Sequence, residues 1–512
     1  MRRRDRRGVG VAGLRMGPLL ASCAGLVIAA HVMAQGRQAT PAPEPPWEAF
    51  VAAASTDERT AREALDAVGA AWRDQYAAMI VDLARLLPSP RARRPGSGEP
   101  ALDPYDPGSD PAGMPSRGVF ATRPSGRPPG AAIRQRLTDF LQRRTGGRFG
   151  DDLRAWRRWI WALPDAPHAD YADFKAEVYG RIDPAFRAFF PPGVAHAIRL
   201  DEIDWGGVRV NGIPPLRSPK TIPAAEATWL RDGHVIFGVV VNGEARAYPK
   251  RILAWHEMAL DTVGGTDLTI VYCTLCGTVI PYESEVGGRR LTFGTSGLLY
   301  RSNKLMLDEE TTTLWSSLEG VPVVGPLVAS GLRLPFRPAV TTTWGEWRHE
   351  HPATTVLSIE TGFDRDYSEG AAYRDYFATD RLMFEVPSTD RRLKNKAEVL
   401  VVRPEVSGPG APPVAIAVDL LKRRRLYAFE AGARTLVVVT SREGANRIYE
   451  RGEITFTNID ADGRVLDARG GRWRVTPEAL VGDGGRRLAR VPAHRAFWFG
   501  WVAQHPETVL YR

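Results

Sequence analysis

Cys273 and Cys276 stand two residues apart in the stretch Val271-Tyr272-Cys273-Thr274-Leu275-Cys276-Gly277-Thr278. The run before them, Leu268 to Tyr272, is apolar, β-branched and aromatic, which suits a pleated strand. Gly277 eases the turn that follows. Two thiolates at this spacing can chelate one soft or borderline metal ion, or they can close a reactive disulfide. Spacing alone does not choose between the two.

Partners for the sulfurs come from just upstream. His256 and Glu257 end a short predicted helix that begins near Tyr248 and precedes the cysteine strand. Cys273, Cys276 and His256 would make a three-ligand set with an open fourth position, the arrangement that lets a metal do catalysis. Copper or zinc suits sulfur and imidazole. Glu257 is the candidate base or ligand support, set against the plain reading of a helix-end surface carboxylate. Gly277 stands where covalent haem attachment needs histidine. The spacing Gly294-Thr295-Ser296-Gly297 is not a nucleophile elbow, and no phosphate loop or dinucleotide fingerprint occurs.

The elements that must position these residues lie in a 512-residue chain with 44% hydrophobic residues, enough for more than one core. Residues 1–34 read as an export signal: arginines up to Arg15, an apolar run from Met16 to Ala30, and Val32-Met33-Ala34 before the cut. Leu20-Ala21-Ser22-Cys23 also fits a lipoprotein signal, which makes the N-terminus a candidate membrane tether. Six arginines against Asp5 in the first 15 residues carry +5 of the formal +9, leaving +4. That remainder does not point to nucleic acid.

A Pro-rich tether is expected over 35–59, one long amphipathic helix over 60–87, and a linker without regular structure over 88–129. Helical patterning resumes over 130–195, with the string Thr145-Gly-x-x-Phe149-Gly-x-Asp152-x-x-x-Trp156-x-x-Trp159. This string resembles the last unit of HEAT-like helical modules in exported bacterial proteins. From Ile203 onward the chain turns to short β-type runs, among them Val235 to Val241, Val399 to Val402 and Leu436 to Thr440.

This β-rich region repeats itself. Trp344-Gly-Glu-Trp347-Arg-His-Glu-His351-Pro352-Ala-Thr354 returns as Trp498-Phe-Gly-Trp501-Val-Ala-Gln-His505-Pro506-Glu-Thr508. Two related halves are expected, 199–360 and 361–512, with Thr440 standing where the first half has Cys273. The fold class is α+β: a helical N-terminal part followed by a β-rich region of two related halves. His351 and His505 read first as scaffold.

Tyr-Cys-Thr-Leu-Cys-Gly-Thr, then Phe-Gly-Thr-Ser-Gly-Leu-Leu-Tyr-x-Ser-Asn (293–303), then Gly325-Pro326-Leu327 and Thr361-Gly362-x-x-Arg365-Asp366-Tyr367 resemble the bacterial family catalogued as domain of unknown function 3179. The likeness runs from about residue 199 to 512. It implies an exported protein and supplies no assigned catalytic residue. Three readings stand: a cell-envelope metal-binding protein using Cys273, Cys276 and His256; a thiol–disulfide protein; and a non-enzymatic binding module with a fixed Cys273–Cys276 disulfide. Neither partner nor oligomeric state is legible.

Overall fold

The computed structural model describes residues 43–87 and 129–512. The expected export signal, Cys23 with it, and the expected linker as far as residue 128 lie outside the described residues.

Helices form the first layer: Trp47–Ala52, Glu58–Ala70, Ala77–Arg85, Pro129–Thr145, Leu153–Trp161 and Tyr171–Gly180. The first lies within the expected tether, anchored by the buried Phe50. The single helix expected over 60–87 is two. The break falls after Ala70, one residue past Gly69, where a β-carbon would meet the Arg144 guanidinium and displace it. Trp72 then turns its ring N–H to Asp74 at 3.0 Å and Tyr76 plunges into the core. Both pieces keep one apolar face, so the three- and four-residue spacing ran through the break.

The Thr145–Trp159 string has a local cause. Asp152 caps the helix Leu153–Trp161 by accepting from the N–H groups of Arg154 and Ala155. Trp156 donates its ring N–H to Gly150 O at 3.0 Å, Phe149 meets the same ring edge-on, and Gly147 leaves room for it. The loop is thus folded onto one tryptophan.

These helices share a core with an antiparallel sheet whose strands run Ile203–Trp205, Phe293–Tyr300, Asn303–Asp308, Leu314–Ser316 and Pro322–Val324 in spatial order. At the join, buried charges meet: Lys175 lies 3.0 Å from Asp82, Arg85 lies 2.8 Å from Asp82, and Arg157 lies 2.5 Å from Asp204.

The two halves share a strand plan. In the first, Val235–Val241 pairs antiparallel with both Glu244–Pro249 and Ala339–Thr343, and Thr355–Leu357 runs parallel to Glu244–Pro249. In the second, Glu398–Val402 pairs antiparallel with both Val414–Ala417 and His494–Phe497, and Val509–Tyr511 runs parallel to Val414–Ala417. The helices Trp344–Glu350 and Trp498–Val502 follow equivalent strands. Their tryptophans make matching bonds: Trp347 Nε1 to Thr354 Oγ1 and Trp501 Nε1 to Thr508 Oγ1, both 2.9 Å. His351 and His505 lie against those same rings. The repeated Trp, His and Thr are therefore one packing unit used twice.

Candidate functional site

Cys273 ends the strand Thr266–Cys273, and the four residues 274–277 turn the chain into Thr278–Glu283, with Cys273 paired to Thr278. The Cys276 N–H donates to Cys273 O at 3.2 Å, closing a β-turn that holds the two side chains on neighbouring positions. Gly277 follows at φ +63, a left-handed conformation that a side chain would strain, with the Phe497 ring 3.0 Å from where a β-carbon would stand. The pair therefore sits at the tip of a hairpin and not at a helix N-terminus.

Both cysteines are free thiols, 2% and 0% exposed. Burial works to raise the Cys273 pKa. Stabilisation of its thiolate by Cys276 and by the Lys304 and Cys276 backbone outweighs burial and the nearby Glu257 charge, so the pKa is lowered. Cys276 is pushed well above the ordinary thiol range by burial and by the Cys273 and Glu257 charges. Its Sγ also donates to Ser302 O at 3.1 Å. The two sulfurs are thus unequal: one built to carry charge, the other to keep its proton.

Second-half residues close the turn from outside. Phe497 N–H donates to Cys276 O at 2.7 Å, and a methyl group on Gly500 would fall 3.1 Å from Cys276 Cβ and 3.3 Å from its Sγ. The Tyr376 hydroxyl donates to Leu275 O at 2.8 Å, and Tyr373, Tyr376, Met383 and Phe384 share the core that contains both cysteines.

Glu257 follows the helix Lys250–His256 in a left-handed conformation, φ +55, which a non-glycine residue holds only under tertiary constraint. The constraint is visible. Its carboxylate meets Lys304 Nζ at 2.9 Å and accepts from the Tyr373 hydroxyl at 3.0 Å, while its carbonyl accepts from Tyr272 N–H at 2.8 Å. It is a buried carboxylate, 6% exposed, and not a surface one. Glu257, Leu275, Lys304 and Tyr373 line a cavity of about 40 Å³, little more than the ~30 Å³ share of one liquid water.

His256 spends its two ring nitrogens elsewhere. Nδ1 lies 2.9 Å from Pro214 O and Nε2 lies 2.5 Å from the Tyr367 hydroxyl, which in turn meets Thr361 Oγ1 at 2.6 Å. Burial is the main reason its pKa falls to about 4. The ring is therefore neutral at pH 7, with Nδ1–H donating to the carbonyl and Nε2 accepting from tyrosine. Among the described residues, no three His, Cys, Asp or Glu side chains are grouped to hold a metal ion. The structure brings Cys273, Cys276 and Glu257 to one site and ties His256 to Tyr367.

Lys304, Tyr373 and Gly500 belong to this site and escaped the sequence reading. A tight turn carries the first to the site. Arg301 and Ser302 both have positive φ, forming a two-residue hairpin turn that aims Ser302 O at Cys276 and carries Lys304 to Glu257.

A family model described as "Protein of unknown function (DUF3179)" matches residues 210–508. No curated protein and no solved structure matches the chain.

Proposed function

The chain belongs to the DUF3179 family, and from that premise we propose that Cys273 and Cys276 form a redox dithiol that alternates with a disulfide. The observation that carries this reading is a pair of free, buried cysteines held on one β-turn, with Cys276 N–H donating to Cys273 O. A lowered pKa suits Cys273 to attack, and a raised one suits Cys276 to hold its proton until the second step.

The electron count closes with a disulfide as oxidant. The Cys273 thiolate attacks one sulfur of the oxidant disulfide, forming a mixed disulfide and releasing one thiolate. Cys276 then attacks Cys273 Sγ, its proton passing to the departing thiolate, and the Cys273–Cys276 bond forms. Two electrons leave the protein and one disulfide becomes two thiols. Glu257 and Lys304 are positioning residues in this scheme: the carboxylate charge opposes thiolate formation and the ammonium beside it offsets that charge.

Single serine variants test the assignment. Cys276→Ser should leave a Cys273 thiol that forms a stable mixed disulfide with a small aromatic disulfide, whereas Cys273→Ser should leave a slower thiol that alkylates only at higher pH. Equal pH profiles for the two single thiols would contradict the division of roles. Stoichiometric metal bound by the wild-type protein and lost in both variants would favour the metal reading, with copper or zinc the metals that suit two thiolates.

A further inference from the structure

The repeat supplies an internal template for a second site. Counting along the paired strands from Gly238, which opposes Val340, and from Val401, which opposes His494, makes Val240 and Arg403 equivalent. In the second half the Arg403 side chain is buried and fills its site: its Nη2 donates to the Tyr282 hydroxyl at 3.0 Å and to Leu318 O, and its guanidinium lies 4.3 Å from the Phe336 ring. A carboxylate completes that plug, with His505 Nε2 lying 2.8 Å from Glu319 Oε1.

The first half has only Val240 at the equivalent position, and a cavity of about 370 Å³ opens beside Trp347 and His351. Arg447 and Arg490, from the second half, line it. Arg447 pairs with Glu350. Arg490 hydrogen-bonds to neutral groups: Nη1 donates to Pro477 O at 3.3 Å, Tyr449 lies alongside, and Nε has no partner among the described residues; the Glu350 carboxylate, already paired with Arg447, is the negative charge that acts on it. Burial, with the Arg447 charge adding to it, pushes the Arg490 pKa down to about 10. His351 falls to about 4 for the same two reasons, so its ring is neutral at pH 7 with one N–H to donate. The carboxylate in the cavity lining, Glu478, is exposed on the rim.

We propose that this cavity binds a small oxyanion, held by the Arg447 and Arg490 guanidinium groups and His351, much as the Glu319 carboxylate of the other half is bonded by His505 within the field of Arg403. Arg447 and Arg490 share the single Glu350 carboxylate, which leaves an excess positive charge at the cavity wall, and planar forks that meet an oxyanion offset such an excess through charge-assisted hydrogen bonds. Neither Cys273 nor Cys276 takes part, so this site stands or falls independently of the dithiol.

Isothermal titration of the purified full chain with inorganic phosphate, sulfate and acetate, at fixed ionic strength against chloride, reads the site directly. One saturable site is expected for at least one of the three, with acetate alone assigning a carboxylate ligand and phosphate or sulfate a tetrahedral one. Arg490→Gln should weaken that binding at least about tenfold, the loss of one charge-assisted contact. Glu478→Gln, which touches only the rim, should tighten it by removing a competing negative charge, and decides the matter even where Arg490→Gln fails to fold. No saturable binding of any anion, unchanged affinity in a folded Arg490→Gln, or weaker binding in Glu478→Gln would overturn the proposal.

Discussion

At the residue scale, Glu257 is where charge, backbone and sulfur meet. Its carboxylate raises the energy of a thiolate on either cysteine. Glu257→Gln removes that charge and leaves the Lys304 ammonium unopposed, and both changes act in the same direction. The Cys273 thiolate should therefore form at lower pH, by about one unit if the lost interaction is near 1.4 kcal/mol, as read from ultraviolet thiolate absorbance in a Cys276→Ser background. A rise in the Cys273 pKa would contradict this placement of the charges. The same substitution should cost about 3 kcal/mol of stability or more, because it strands a buried cation.

His256 yields a different prediction. Its folded pKa, about 4, lies below the ordinary value of 6.5, so the unfolded chain binds a proton first. Stability from the neutral ring is fully present above pH 6.5 and declines as pH falls toward 4, where the loss reaches about 3 kcal/mol. Replacing His256 with Asn should flatten that part of the stability profile, as read by urea unfolding at several pH values. An unchanged pH dependence would refute the assignment of a neutral buried ring. The sequence placed His256 near Cys273 and Cys276 because a short helix precedes their strand; it could not reveal that Pro214 O and the Tyr367 hydroxyl, the latter 111 positions away, would take both nitrogens.

At the element scale, the segment from Tyr373 to Phe384 covers the cysteine turn, and Asp380 fastens it. The Asp380 carboxylate accepts from Asn395 N–H at 3.1 Å and Lys396 N–H at 2.9 Å. With both sulfurs buried, a reagent reaches them when this cover opens. Asp380→Ala removes two bonds worth roughly 0.5–1.5 kcal/mol each, so alkylation of the native thiols should accelerate by about tenfold with little change in secondary structure. An unchanged rate would mean that access runs by another path. The cysteine hairpin itself was legible, since Leu268 to Tyr272 carries the composition of a strand and Gly277 marks the turn. The cover was not, because residues 361–396 have no periodic pattern and owe their course to single anchors such as the Tyr376 hydroxyl on Leu275 O.

At the scale of the whole molecule, the site exists because each half lends a part to the other. The cysteine turn of the first half is closed by Phe497 and Gly500 of the second, and the corresponding turn of the second half, past Thr440, lies against Glu346 of the first through Ser441 Oγ at 2.9 Å. Where Gly500 admits Cys276, the first half has Glu346. One copy accommodates sulfur and the other a hydroxyl. The two halves could be read from the Trp-x-x-Trp and His-Pro repeats. Their exchange of parts could not, because it depends on how two similar units pack and no residue pattern within either unit encodes that. The same limit hid the charges joining helices to sheet: Arg157 and Asp204 are 47 positions apart, and as isolated residues both read as surface.

The most direct test of the dithiol is a redox titration of the purified protein, with free thiols and metal content measured on the same samples. The expected result is a reversible two-electron transition: two thiols per chain from Cys273 and Cys276 when reduced, none when oxidised, and no stoichiometric metal in either state. Thiols that never pair across the whole range, a disulfide that never reduces, or one equivalent of metal that leaves when Cys273 and Cys276 are replaced would contradict it.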